Sequence, residues 1–362
     1  MEATYVNVTD LRFGKIVAED IFANTKYPII AKNTKITPEH INVFHAFQVG
    51  RVLIFKDELP EEAVAEDLEN IINIPVPQVT SFERQYENAI SSLKKEFSNW
   101  SAGAKIDITK VRGIIIPLIE NVLEDRAYLF DLNSYSNPKD YIYHHCVATG
   151  LIAGVLSQKL GFERGICVQM SLAGLLADCG MAKIPTKIRE KKTTLTESEF
   201  LEIRKHPIYS YQMVKDLTAL KNDMKHSIFQ HHERLDGSGY PKGMKSNDIS
   251  IFSQIIAVAD VFHAMTSERL YRAQQSPFKV IDMIKESEFG KFDIKVVQAL
   301  IDTVADLPIG TRVELSNFEQ AEVMFINKYA PTRPLVKLIV SGEIIDLATF
   351  RHLHILRVIT KG

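Results

Sequence analysis

The stretch His231-His232-Glu233-Arg234-Leu235-Asp236-Gly237-Ser238-Gly239-Tyr240-Pro241 decides how this chain is read. Two adjacent histidines and a glutamate lead into Arg234–Gly243, which its glycines and Pro241 mark as a loop. Neighbouring side chains on a helix point ~100° apart. Both imidazoles therefore reach one ion only near a helix end, where the loop begins. Outward from this stretch lie His145, Asp178, His206 and Asp260, residues of the same chemistry. Asp178 follows Leu175-Leu176-Ala177, and Asp260 follows Ile255-Ile256-Ala257-Val258-Ala259. A carboxylate buried in such apolar runs is costly unless a cation or hydrogen bonds compensate it. Imidazole nitrogens with carboxylate oxygens suit iron, manganese, zinc and similar ions.

Each residue also has an ordinary reading. His145 alone is more often a satisfied core histidine than a ligand. The capping box Thr196-Glu197-Ser198-Glu199 opens a helix that His206-Pro207 would stop, so His206 reads as a cation at a helix C-terminus. Asp260 could pair with Arg269 or Arg272. Taken singly, each of these prevails. Taken together they require too many coincidences, and a shared metal centre accounts for all of them.

The 362 residues leave room for more than one domain. A hydrophobic fraction of 46% and a charged fraction of 24% are ordinary for a soluble globular protein. The net charge of −2 gives no global drive toward a nucleic-acid polymer or a membrane surface. Cys146, Cys167 and Cys179 form neither a disulfide framework nor a zinc-finger spacing, which fits a reducing cytoplasm. Met1–Gly14 lacks the basic-then-apolar order of a signal peptide. No apolar run approaches the ~20 residues of a spanning helix; Gly113–Ile119 is short and holds Pro117. A cytoplasmic protein without a membrane span is the expectation.

Residues 1–60 predict a small α/β module. Its β-like runs are Lys15–Val17, Pro28–Ala31 and Arg51–Ile54, around a helix Pro38–Phe47 with Thr37 as N-cap. Residues 61–136 combine an acidic, proline-bearing linker, Glu58–Val79, with helices from Phe82 to Trp100 and from Ile108 to Asp125. Asp107 or Thr109 would cap the second, and Pro117 should kink it. Their apolar stripes read either as a dimerising stalk, giving a homodimer, or as ordinary core. Helical periods dominate 137–305: Tyr141–Lys159 puts Val147, Leu151, Val155 and Leu156 on one stripe, and Gln254–Leu270 is again helical. Residues 306–362 read as all-β, through Thr311–Leu315, Ala321–Asn327, Leu335–Val340 and Leu353–Val358. This would be a small barrel or a cap on the helical bundle.

The order His145, Ala177-Asp178, His206, His231-His232-Glu233, Asp236-Gly237-Ser238-Gly239-Tyr240-Pro241 and Ala259-Asp260 resembles the HD-GYP family. Its members are bacterial metal-dependent phosphodiesterases that open cyclic di-GMP. Ile184-Pro185, His206-Pro207 and Thr266-Ser267-Glu268-Arg269 are lesser marks, and the likeness covers about 137–305. The resemblance implies a mainly α, multidomain chain. A helical bundle of the HD superfamily would be flanked by the small N-terminal α/β and C-terminal all-β modules. It further implies a two-metal centre bridged by Asp178. His206, His231 and His232 would complete one ion; His145, Asp260 and the histidine of the HD pair would hold the other. Ala177 stands in the place of that histidine. Tyr141 occupies the position of a glutamate that binds a third ion in some members, so no third ion is expected. Met181 stands where a phosphate-touching lysine is common, which makes Lys183 the candidate substitute. Tyr240 would shape one wall, Arg269 and Arg272 would hold the phosphates, and His263 replaces a common aspartate in that contact region.

A methyl group coordinates nothing. Losing a ligand imidazole should cost at least the ~10–100-fold in affinity or activity that losing a supporting partner costs. One well-held ion and one weak or absent ion follow, with iron or manganese expected. Ala177 is either a natural drift or a deliberate removal of the imidazole. Two functions compete: a cyclic di-GMP phosphodiesterase weakened or silenced by Ala177, and a cyclic dinucleotide sensor or scaffold. A general HD-type nucleotide phosphohydrolase is a third, against which the DGxGYP loop argues.

Overall fold

The computed structural model describes residues 3–8, 11, 14–22, 28–37, 40–41, 44, 47, 49–55, 81–132, 135, 137–268, 275–287 and 290–359. The chain divides into two compact units, Met1–Gln78 and Val79–Gly362.

In the first unit, strand β1 (Ala3–Asn7) pairs antiparallel with β2 (Arg51–Phe55), Thr4 lying opposite Ile54. Bridges join Ile16 to Lys35, Val17 to Ile54 and Ile21 to Ile30. Alternation along β2 sends Val52 and Ile54 into a core with Val17, Ile30, Ile36 and Phe44. The predicted β-like runs fall within these pairings. β1 escaped prediction because neither of its faces is fully buried, so no apolar alternation marks it. The predicted helix Pro38–Phe47 falls partly, and the linker Glu58–Val79 wholly, outside the described residues.

The second unit is built on helices α1 (Ser81–Ser101), α2 (Ile108–Glu124), α3 (Tyr141–Lys159), α4 (Arg164–Leu176), α5 (Glu197–Ile203), α6 (His206–Val214), α7 (Asn222–Gln230), α8 (Ile251–Thr266), α9 (Pro277–Ser287) and α10 (Ile294–Val304). α3 runs through the middle, buried on every side from His144 to Ser157. The predicted stripe is therefore only one part of a helix covered all round. α3 and α4 touch at glycines: a Cβ on Gly150 would lie 2.6 Å from the Ser171 carbonyl, and one on Gly174 2.8 Å from the Gly150 Cα. That close approach brings the start of α3 near the end of α4.

Asp107 caps α2 by accepting from the Thr109 N–H at 3.0 Å, and the helix continues through Pro117. α1 buries Phe82, Tyr86, Leu93, Phe97 and Trp100 in the same core that α2, α3 and α4 share. Of the two readings of these apolar stripes, ordinary core is the one that matches: they are covered within the chain. Among the described residues, one helical stretch, Arg164–Lys183, is 20 residues long and apolar enough to cross a membrane by length and composition. This corrects the expectation that no run approaches that length. Burial of 67% of it within the unit matches a core helix.

The C-terminal strands β3 (Arg312–Leu315), β4 (Gln320–Phe325), β5 (Leu335–Leu338), β6 (Ile344–Asp346) and β7 (Ile355–Val358) form one antiparallel sheet, ordered β6-β5-β4-β3-β7. β6, three residues long, was too short to be read from sequence. The order leaves β6 and β7 at the edges, so the sheet is open among the described residues and the barrel expectation is not met. Val313, Leu315, Val323, Val336 and Ile355 belong to the core that the helices share. Asp282 of α9 receives Arg333 Nε at 2.9 Å and Thr332 Oγ1 at 2.9 Å, and Ser276 Oγ donates to the Ile355 carbonyl. The sheet caps the bundle.

Candidate metal centre

Asp178 lies just past α4, at the head of a short 3-10 turn, Cys179–Lys183. The next residue but one has no side chain for a reason. A Cβ on Gly180 would sit 2.2 Å from the His206 carbonyl and 2.4 Å from the Ser210 nitrogen. Ser210 Oγ accepts from the Gly180 N–H at 2.8 Å and donates to the Ala177 carbonyl at 2.7 Å. α6 is thereby held with its first residue against Asp178, His206 Nε2 lying 2.9 Å from Asp178 Oδ1. The reading of His206 as a helix end is corrected: α5 stops at Ile203 and His206 opens α6. Pro207 sits in the first turn of α6, where its missing N–H has no partner to lose.

His231 closes α7, with Nε2 3.6 Å from Asp178 Oδ1 and 3.2 Å from His206 Nε2. His206 Nδ1 bonds the Ile203 carbonyl at 2.8 Å, and His231 Nδ1 bonds the Ile228 carbonyl at 2.7 Å. A carbonyl only accepts, so each Nδ1 carries a proton, and in the neutral ring each Nε2 offers a lone pair. Two lone pairs facing each other at this distance repel unless something positive lies beside them. This donor chemistry fits a metal ion, with both rings oriented from behind as metal-binding histidines are.

Ligand atoms of Asp178, His206, His231 and His232 lie within 4.8 Å of one another, and so do those of His145, Asp178 and Asp260. The structure thus brings all six predicted donors together in two groups that share Asp178. His145 Nε2 stands 2.8 Å from Asp260 Oδ1 and 3.3 Å from Asp178 Oδ2. Burial works against a charge on His145, but its hydrogen bonds to the Asp178 and Asp260 carboxylates outweigh it and raise its pKa to about 9. Burial opposes charge on Asp178 too, yet His206 and the surrounding imidazole hydrogen bonds hold it well below the usual carboxylate range. His232 is pushed well below the ordinary histidine value by burial and by His231.

Glu233 donates no ligand atom to either group. Fully buried, it accepts the Lys242 N–H at 2.7 Å and the Met244 N–H at 2.9 Å, closing the loop that follows it. A Cβ on Gly239 would lie 2.4 Å from the Arg234 nitrogen, and Asp236 accepts from both the N–H and the hydroxyl of Ser238. The loop so shaped lays Tyr240 flat on His232, ring centroids 4.6 Å apart, and edge-on to His206. The Arg204 guanidinium lies 4.5 Å from the Tyr240 centroid. Sequence reading quoted Glu233 without giving it a role and missed Arg204; the position of Glu233 between the histidine pair and the glycines was the available signal.

An open cleft of about 890 Å³ lies over both donor groups, with His145, Asp178, His206, His232 and Asp260 among its lining. Tyr240 forms part of one wall, and Lys94, Lys139, Arg189, Lys191 and Lys192 also line it. Met181 reaches the cleft, but Lys183 does not: its ammonium donates to the Trp100 carbonyl at 2.9 Å. This corrects the expectation that Lys183 touches phosphate. His263 is 1% exposed and lies behind His145, Nδ1 to Nδ1 2.9 Å, which corrects its assignment to a substrate surface. Arg269 and Arg272 lie outside the described residues; Asp260 faces His145 and His232.

The HD domain family matches residues 117–296. A cyclic di-GMP phosphodiesterase, PdeB, of Borreliella burgdorferi is 34% identical over 208 residues, 56% of this chain and 54% of that protein. The chain therefore spans about half the length of that relative. A cyclic di-GMP phosphodiesterase of Pseudomonas aeruginosa is 28% identical over 298 residues, 79% of this chain and 72% of that protein. Among solved structures, an HDG"Y"P protein from Bdellovibrio bacteriovorus superposes with a TM-score of 0.51 at 17% identity. That match covers 84% of this chain and 99% of that one, and it supports the fold. With the HD domain matched across the helical body and relatives of this kind, the chain belongs to the HD-GYP family.

Proposed function

We propose that this chain is a metal-dependent phosphodiesterase of cyclic di-GMP, with one half of its metal centre strong and the other weak. The observation that carries this reading is the pair of donor groups joined at Asp178, one of them with two Nε2 lone pairs converging at 3.2 Å. Asp178, His206, His231 and His232 would hold one ion. His145, Asp178 and Asp260 would hold the second, one donor short because Ala177 offers only a methyl group. Mixed imidazole and carboxylate donors suit iron or manganese. When bound, paired divalent ions neutralise a phosphodiester and supply an activated water.

The protein's own groups do the positioning. Asp178 turns one oxygen to His206 and the other to His145, and so sets the separation of the two halves. Tyr240 pins the His232 ring by stacking on it and walls that side of the cleft. Lys139 and Lys192 along the cleft, with Lys94, Arg189 and Lys191, which pair with Asp140, Glu190 and Glu199, would meet a ligand carrying two phosphates. The relatives' activity on cyclic di-GMP supports that ligand. The free, buried thiols Cys146, Cys167 and Cys179 fit a cytoplasmic site.

Ala177 also favours a second reading, a sensor that binds the dinucleotide without opening it. The test is metal content and cyclic di-GMP turnover with Mn²⁺ or Fe²⁺, for this chain beside Ala177→His. We expect about one tightly held ion and slow hydrolysis, with Ala177→His adding a second ion and at least ~10–100-fold in rate. Binding without hydrolysis in both proteins selects the sensor. Absence of metal and dinucleotide binding in both rejects the site.

A further inference from the structure

His145 is supported differently from its two counterparts. His206 and His231 rest their Nδ1 atoms on backbone carbonyls, which accept and nothing else. His145 rests its Nδ1 on a ring nitrogen, His263 Nδ1, at 2.9 Å. An imidazole nitrogen either donates or accepts, depending on its tautomer, so the direction of this bond must be set farther back. Ser267 Oγ lies 2.9 Å from His263 Nε2 and 3.3 Å from His263 Nδ1, and both His263 and Ser267 are almost wholly buried.

We propose that His263 is a positioning residue: its Nδ1 accepts the His145 Nδ1–H, aiming His145 Nε2 at the Asp178 and Asp260 side, where its proton can give way to a cation. In this arrangement the Ser267 hydroxyl, nearer to Nε2 than to Nδ1, accepts the His263 Nε2–H and leaves His263 Nδ1 as a lone pair. The reverse order would have His263 donate to His145 and place the His145 proton on Nε2, between the two carboxylates where a cation would bind. Residues three apart share a helix face, so α8 supplies both partners of one imidazole, Asp260 to Nε2 and His263 to Nδ1. The competing partner is Tyr141, whose ring stacks on His145 and whose Oη lies 3.3 Å from the same Nδ1. The shorter contact to His263 takes the larger share. One half of the centre is then oriented by main chain and the other by a side-chain relay, so damage at His263 should reach one half only.

The inference uses the reading of His145 as a ligand, but its first test does not need metal. In ¹⁵N-edited spectra of the imidazole N–H groups near neutral pH, this chain should show a slowly exchanging His145 Nδ1–H. His263→Asn, whose amide oxygen accepts, should keep it; His263→Leu should lose it; Tyr141→Phe should leave it in place. A signal unchanged in His263→Leu, or lost in Tyr141→Phe, overturns the relay. If His263→Leu does not fold, Ser267→Ala reads the same chain: faster exchange is expected, and unchanged exchange overturns it. The second test is calorimetric titration of Mn²⁺ into Ala177→His with and without His263→Leu. A ~10–100-fold loss confined to the weaker ion is expected, and equal loss at both overturns the proposal. If Ala177→His takes up no second ion while the Nδ1–H still follows His263, the metal assignment fails and the relay stands.

Discussion

The proton on His145 and a metal ion in its half of the centre compete for one lone pair, Nε2, which faces Asp260 Oδ1 at 2.8 Å and Asp178 Oδ2 at 3.3 Å. In metal-free protein, burial disfavours that proton, but the two carboxylates outweigh it and the pKa rises from 6.5 to about 9. A folded-state value above the unfolded one means that protonation stabilises the fold. The contribution is present in full below about 6.5 and is lost as pH rises through about 9. Ion affinity in this half runs the other way, lowest where the proton is held and highest above about 9. Chelated protein should therefore lose melting temperature across that window, and His145→Gln should flatten the loss. An identical pH profile in His145→Gln would remove His145 from the account. The six donors were legible in the sequence because polar residues in apolar runs need a compensating partner, and the fold brings these six together. Lys183 and His263 were misread because sequence position does not fix where a side chain points. Lys183 is claimed by Trp100, 83 residues away, and His263 by His145, 118 residues away.

Helix placement depends on glycines at least as much as on apolar stripes. The approach of α6 to the Cys179–Lys183 turn leaves no room at Gly180, where a methyl would collide with the backbone of His206 and Ser210. Gly180→Ala should push α6 away and carry His206 from Asp178. Overpacking of this kind costs about 1–3 kcal/mol, and the four-donor ion should weaken with it. Gly113, exposed within α2 and with nothing within 4 Å of its would-be Cβ, is the contrast. Gly113→Ala should stabilise by roughly 0.5–1 kcal/mol and leave metal binding alone. Thermal melts and metal titrations of the two variants check this; comparable effects in both would mean that the tight contact is not what places His206. The boundary between α5 and α6 shows why such elements were only partly readable. The His206-Pro207 pair is compatible with a stop and with a start, and only the contact through Gly180 selects the start.

Across the second unit, the C-terminal sheet reads in sequence as a module of its own, since its strands are short, β-branched and bounded by turn residues. Its folded partners are legible only in three dimensions. Val313, Val323, Val336 and Ile355 enter the same core as Leu300, Ile301 and Leu307 from α10 and the turn after it. The Asp282–Arg333 pair, at 2.6 Å and about one-fifth exposed on each side, ties α9 to the loop before β5. Arg333 also donates to the Leu347, Arg351 and Leu353 carbonyls, gathering the later strands around the same anchor. Removing the sheet would uncover one side of α9 and α10, and α10 packs on α8, which carries Asp260 and His263. A chain of residues 79–362, which retains the whole second unit and its core, should melt cooperatively and bind metal as the intact protein does. A chain of residues 79–306 should lose cooperative melting, expose apolar surface to a hydrophobic dye, and lose the His145-side ion before the four-donor ion. The order follows from the route of the damage: α8 feeds the His145 group with Asp260, whereas Asp178, His206, His231 and His232 come from outside α8. Full stability and metal binding in the 79–306 chain would show that the sheet is an independent module after all.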